Sequence, residues 1–147
     1  MTQEDKELLL KDLCARLPYG VKMNHIADDE HSPKTLIGVA KDMITLEGLG
    51  GYECVDVEDY KPYLFPLSSM TEEQFVELKV FADLIYESDT LELVEWNDNY
   101  KTLEFWLEEV PSYCVIKVFD WLNKNHFDYR GLIEKGLAID ATGKNIY

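Results

Sequence analysis

Apolar residues recur at helical spacing in three stretches of the chain and partly alternate with polar ones in several shorter ones. The first helix is predicted over residues 3–17, where Leu9, Leu10, Leu13, Cys14 and Leu17 share one face behind an N-cap pattern of Thr2 with Asp5 three residues on. Pro18 and Gly20 end it, because proline cannot continue the hydrogen-bond ladder and glycine tolerates the left-handed turn that closes a helix. Residues 21–26 read as a short strand and 27–34 as a polar loop with a Ser32-Pro33 step. A second strand over 35–46 is marked by β-branched Thr35, Ile37, Val39, Ile44 and Thr45, and a third over 52–57 follows the turn Gly48-Leu49-Gly50-Gly51.

Residues 61–67 contain Pro62 and Pro66 and read as a connection to the second helix, predicted over 72–87 from the capping box Thr71-Glu72-Glu73-Gln74. Its main apolar stripe is Phe75, Leu78, Phe81, Ala82 and Ile85, while Val76, Val80 and Leu84 form another on the opposite side. Two apolar sides are too many for packing on one sheet face, so this helix is either sandwiched in a core or meets a partner. Partial alternation over 91–96 and 100–107 around Asn97-Asp98-Asn99 predicts a second hairpin, with a helix over 100–109 as the alternative. Pro111 opens the third helix, to about residue 125, with Cys114, Val115, Val118, Phe119, Trp121 and Leu122 facing one way and Lys117, Asp120 and Lys124 the other. A turn over 128–131, a short strand at 137–139 and a polar tail over 140–147 that frays complete the chain. The order is α-β-β-β-α-β-β-α-β, an α+β fold of three helices on a mixed or antiparallel sheet built from hairpins, forming a single globular domain over 1–147.

Composition agrees with a folded chain: 147 residues, 46% hydrophobic, with nine Tyr, six Phe and three Trp. Charge changes the picture more. Twenty-nine Asp and Glu against fourteen Lys and Arg leave −15, which disfavours nucleic-acid phosphate and anionic membrane as ligands and favours a basic protein partner. Acidity that serves only solubility is the plainer reading of the same residues. Cys14, Cys54 and Cys114 are three, widely spaced and without a Cys-x-x-Cys pair, which fits reduced thiols. With an acidic N-terminal stretch and no long apolar run, the chain reads as cytoplasmic and unprocessed.

Four groups are candidates for chemistry. His25, Asp28, Glu30 and His31, with Asp29, place imidazole and carboxylate ligands together at a strand end, but their spacing matches no particular zinc geometry and a solvated polar loop is the favoured reading. Glu53, Asp56, Glu58 and Asp59 form a second acidic group, which reads as a charged strand and loop because nothing orients it. His126, Asp128 and Arg130 hold the minimal acid–base unit without a nucleophile, and the favoured role is structural: His126 at the helix end, with Asp128 and Arg130 fixing the turn. Trp96, Tyr100, Phe105 and Trp106 fit either a partner-binding surface or a hairpin packed into its own core. No cofactor motif is present, since the glycine turn lies between predicted strands rather than before a helix.

Three stretches, 6–22 (KELLLKDLCARLPYGVK), 60–74 (YKPYLFPLSSMTEEQ) and 121–147 (WLNKNHFDYRGLIEKGLAIDATGKNIY), resemble a family of small acidic hypothetical proteins of gut anaerobic bacteria, associated with phage-like and other mobile genomic regions. The resemblance implies no activity, ligand or site residue. The expectation is therefore a non-enzymatic interaction or regulatory protein of a mobile element that binds a basic partner, with DNA mimicry as a sharper variant. The alternatives are a metal-dependent hydrolase using carboxylates with a histidine, and a structural homo-oligomer subunit.

Overall fold

The computed structural model describes residues 1–28, 32–84 and 110–147. Among them are three α-helices and a seven-stranded mixed sheet, an α+β fold whose element order largely follows the predicted one. The chain divides into two compact units, Met1–Leu64 with Leu132–Tyr147, and Phe65–Gly131.

In the first unit, α1 (Gln3–Arg16) starts at a capping box in which the Thr2 hydroxyl accepts from the Asp5 N–H and the Asp5 carboxylate accepts from the Thr2 N–H. Its apolar face buries Leu9 and Leu13. Asp12 and Arg16, one turn apart, are also wholly buried, with Arg16 Nε donating to Asp12 Oδ2 at 2.7 Å. Strands β1 (Lys22–His25), β2 (Lys34–Ala40), β3 (Met43–Gly48), β4 (Gly51–Asp56) and β5 (Tyr60–Pro66) run in the sheet order β4-β3-β2-β1-β5, each pair antiparallel.

Two features of this unit differ from the sequence reading. The single strand expected over 35–46 is two strands, β2 and β3, turning at Lys41 and Asp42, with Lys41 in the left-handed region at φ 51°. The β-branched residues on either side of that turn carry no signal of it, whereas the next turn is marked by Gly51 at φ 108°. Residues 61–67, expected as a connection, supply most of β5, which pairs with β1 on one side and through Tyr63 and Leu64 with β7 (Ile139–Asp140) on the other. Pro62 and Pro66 lie in this strand because the bonds leaving it use other groups: Leu64 C=O accepts from Ala141 N–H at 2.8 Å, and Phe65 N–H donates to His126 C=O at 2.9 Å.

The last residues are tied to this sheet. Ala141 is buried, and the Tyr147 hydroxyl donates to Tyr63 C=O at 2.7 Å while accepting from Lys22 N–H at 3.2 Å. Burial of this phenol raises its pKa well above the ordinary tyrosine value.

The second unit holds α2 (Glu72–Phe81), α3 (Ser112–Lys124) and β6 (Phe127–Asp128), which pairs in parallel with Phe65 and Pro66. The Thr71–Gln74 capping box forms as predicted. α2 stops earlier than the predicted residue 87, because Asp83 takes the left-handed conformation at φ 60° and closes a Schellman motif: Leu84 N–H reaches Lys79 C=O and Asp83 N–H reaches Val80 C=O. α3 likewise closes on a left-handed residue, His126 at φ 60°, whose N–H reaches Asn123 C=O at 3.2 Å. Phe75, Leu78 and Ala82 of α2 pack with Cys114, Val118, Trp121 and Leu122 of α3, and Trp121 stacks on Phe127 with ring centroids 5.7 Å apart. The hairpin expected over 91–107, with Trp96, Tyr100, Phe105 and Trp106, lies outside the described residues.

Candidate functional site

Directly paired residues of neighbouring strands point to the same face of a sheet, and successive residues alternate. Met23, Leu36, Ile44 and Leu46 mark the core face of the first unit. By register His25 and Lys34 share that face, His25 two residues from Met23 and Lys34 paired with it, while Glu53 is opposite Leu46 and Tyr60 opposite His25. Four titratable side chains therefore point inward. In a flat sheet β4 and β5 would lie about 19 Å apart, four strand spacings. Yet Tyr60 Oη donates to Glu53 Oε1 at 3.0 Å, so the sheet is curled enough for side chains of these two strands to meet. Lys34 pairs with Glu53 and lies 3.3 Å from Tyr60 Oη, and the His25 ring stands edge-on to Tyr60 at 5.1 Å.

The electrostatics of Glu53, Lys34 and Tyr60 favour the resting state of each. The ammonium of Lys34 holds Glu53 below the ordinary carboxylate range, the Glu53 carboxylate raises Lys34, and burial raises Tyr60. A general base, a nucleophilic amine or a phenolate working near neutral pH needs the opposite shifts. The arrangement supplies cohesion across the curled sheet.

The sequence candidates separate. His25 accepts the Ala27 N–H at Nδ1 (3.1 Å), and Asn24 Nδ2 donates to the backbone carbonyls of His25 and Asp28, so these residues shape a turn. Glu30 and His31 lie outside the described residues. The acidic group at 53–59 is divided: Glu53 turns to Lys34, while Asp56 and Glu58 join Asp42 around the Lys6 ammonium at 3.9, 2.9 and 3.5 Å respectively. Glu58 is the main cause of the raised Lys6 pKa. Among the described residues no group of three or more His, Cys, Asp or Glu side chains is placed to hold a metal ion.

His126 and Asp128 are both buried, and Asp128 Oδ1 accepts the Arg130 N–H at 3.2 Å. The Arg130 guanidinium lies over the Tyr129 ring at 4.8 Å and donates to its hydroxyl, which in turn donates to Asn123 Oδ1 at 3.0 Å. These contacts build the turn after α3 from its own side chains and backbone.

A different surface emerges on α2. Of the second apolar stripe, Leu84 is buried, but Val76 and Val80 remain 55% and 52% exposed, and Phe81, expected in the main stripe, is 38% exposed. They line an open groove of about 390 Å³ together with Glu77 and with Trp121, Lys124 and Asn125 of α3. Glu73, Val76, Glu77 and Val80 follow the i, i+3, i+4, i+7 rule for one helical face, and all four are exposed. The two valines were legible as an unexplained stripe. Phe81 and Trp121 were not, because each also fits its helix's core-facing side.

No family model, curated protein or solved structure matches the chain. Among the described residues no helix is long and apolar enough to cross a membrane.

Proposed function

We propose that this chain is a non-enzymatic interaction protein whose partner is a basic protein. The observation that carries the proposal is the outer face of α2, where Val76 and Val80 stand more than half exposed alongside Glu73 and Glu77. Isolated exposed valines are ordinary, but a stripe of them beside a groove and next to carboxylates suits association: the apolar part supplies contact area and the acidic part steers a basic partner. Glu72, Glu73 and Glu77 meet no cation among the described residues, and the net charge of −15 extends the same field over the chain. A regulatory setting within a mobile element is part of the proposal and follows only from what the resemblance of residues 6–22, 60–74 and 121–147 implies.

The test is retention of partners from host lysate on the tagged protein, eluted along a salt gradient and identified by mass spectrometry. A specific basic protein, released by salt and held less by Glu73→Gln/Glu77→Gln, is the expected result. Retention of neutral proteins only, indifferent to salt, overturns the reading.

A further inference from the structure

We infer that the α2–α3 groove is the docking site for one amphipathic α-helix of the basic partner, with an apolar stripe seated on Val76, Val80 and Phe81 above the buried Trp121 and Lys or Arg residues flanking it on the Glu73–Glu77 side. The inference rests on the interaction reading above and specifies its surface and the form of the ligand. Three observations define that form.

The first is backbone chemistry. The N–H and C=O groups inside α2 and α3 are spent on their own ladders, so a segment laid across them receives no main-chain hydrogen bonds and must satisfy its own polar backbone. A helix does this, whereas an extended strand needs a sheet edge. The second is shape. α2 has ten residues, a length of about 15 Å, and its exposed valines one turn apart form a short ridge beside the groove that two or three turns of a third helix fill by ridge-into-groove packing. A small molecule in so open a groove stays largely in water, and the polar groups that would orient it are confined to Glu77, Lys124 and Asn125. The third is charge. Glu73 and Glu77 flank the valines on α2, while Lys124 belongs to the α3 side, so the complementary helix is basic along one flank only.

The experiment uses the full chain and a labelled 18-residue peptide of Leu and Lys, with Leu at i, i+3, i+4 and i+7, in fluorescence anisotropy. A scrambled peptide of the same composition is the control. We expect the patterned peptide to bind the wild type at least tenfold more tightly than it binds Val76→Ser/Val80→Ser, a variant that keeps the charge and whose folding is checked by circular dichroism. Glu73→Gln/Glu77→Gln should flatten the salt dependence. Equal binding to the wild type and the double-serine variant, or equal binding of patterned and scrambled peptides, overturns the inference. The lysate experiment repeated on the double-serine variant separates the two levels. Undiminished, salt-released capture of a basic protein refutes this docking site while leaving the interaction reading in place, and absence of such capture by the wild type refutes the reading itself.

Discussion

The two units of the chain differ in how many of their carboxylates meet a cation. In the first, carboxylates turn toward cations of the same unit: Asp12 toward Arg16 inside α1, Asp42, Asp56 and Glu58 toward Lys6, and Glu53 toward Lys34 and Tyr60. In the second, Asp83 pairs with Lys117, but the acidic residues along α2 point to solvent beside exposed valines. These five carboxylates of the first unit serve its cohesion, while others there, such as Glu4, Glu47 and Asp59, stay exposed as those along α2 do. The difference shows why the net charge of −15 was a poor guide by itself: the same residue types serve both ends, and only their neighbours separate the uses.

The comparison can be broken most forcefully at Asp12. Its removal in Asp12→Ala leaves a wholly buried guanidinium without its carboxylate, and a loss of about 3–5 kcal/mol in urea denaturation is expected. A double replacement of Asp12 and Arg16 by leucine and methionine should recover most of that loss, because the ions then leave the interior together. If Asp12→Ala unfolds no more easily than the wild type, the pair contributes nothing and the first unit's internal use of charge is overstated.

A smaller effect sharpens the contrast within α2. Leu78 is fully buried, and Leu78→Ala should cost about 2–5 kcal/mol by lost transfer energy and a residual cavity. Val76→Ser and Val80→Ser, on the other face, should each change stability by less than about 0.5 kcal/mol in the same assay. Comparable losses at all three positions would mean that the outer face is already covered in the free protein and is no docking surface.

The smallest expected effect is a pH dependence at Glu53. Its folded pKa lies below the ordinary value of 4.5, so its contribution is present above that value and is lost as pH falls through the folded pKa. The pair is partly exposed and screened, which limits the difference between wild type and Glu53→Gln to about 1 kcal/mol or less at pH 7. That difference should vanish in acid. Lys34 has the reverse sign: its raised pKa gives a contribution present at neutral pH and lost as alkaline pH rises through the folded value. A wild-type advantage that persists unchanged at pH 3 would show that Glu53 acts through packing instead of charge.

How much of this was legible follows from the range of the interactions. The capping boxes at Thr2–Asp5 and Thr71–Gln74 and the three helices depend on residues three or four apart, and the chain pattern displays them directly. The Val76–Val80 stripe was visible for the same reason. The end of α2 was misplaced because Asp83 in a left-handed turn has no consistent local signature, and β5 was missed because two prolines outweighed its apolar residues.

The sequence by itself determined the α+β class, the helix starts and the acidic character, since these are set by local spacing and by composition. Only the tertiary structure decided that Asp12 and Arg16 are interior, that residues 60–66 form a strand flanked on both sides, that Glu53 reaches Tyr60, and that Tyr147 closes on Tyr63 and Lys22. Each of these joins groups whose proximity comes from the curl and register of a sheet, or from what a helix packs against, and neither is encoded by the few residues on either side. The groove on α2 belongs to both: its valines are set by helical period, and its floor exists because α3 brings Trp121 beside them.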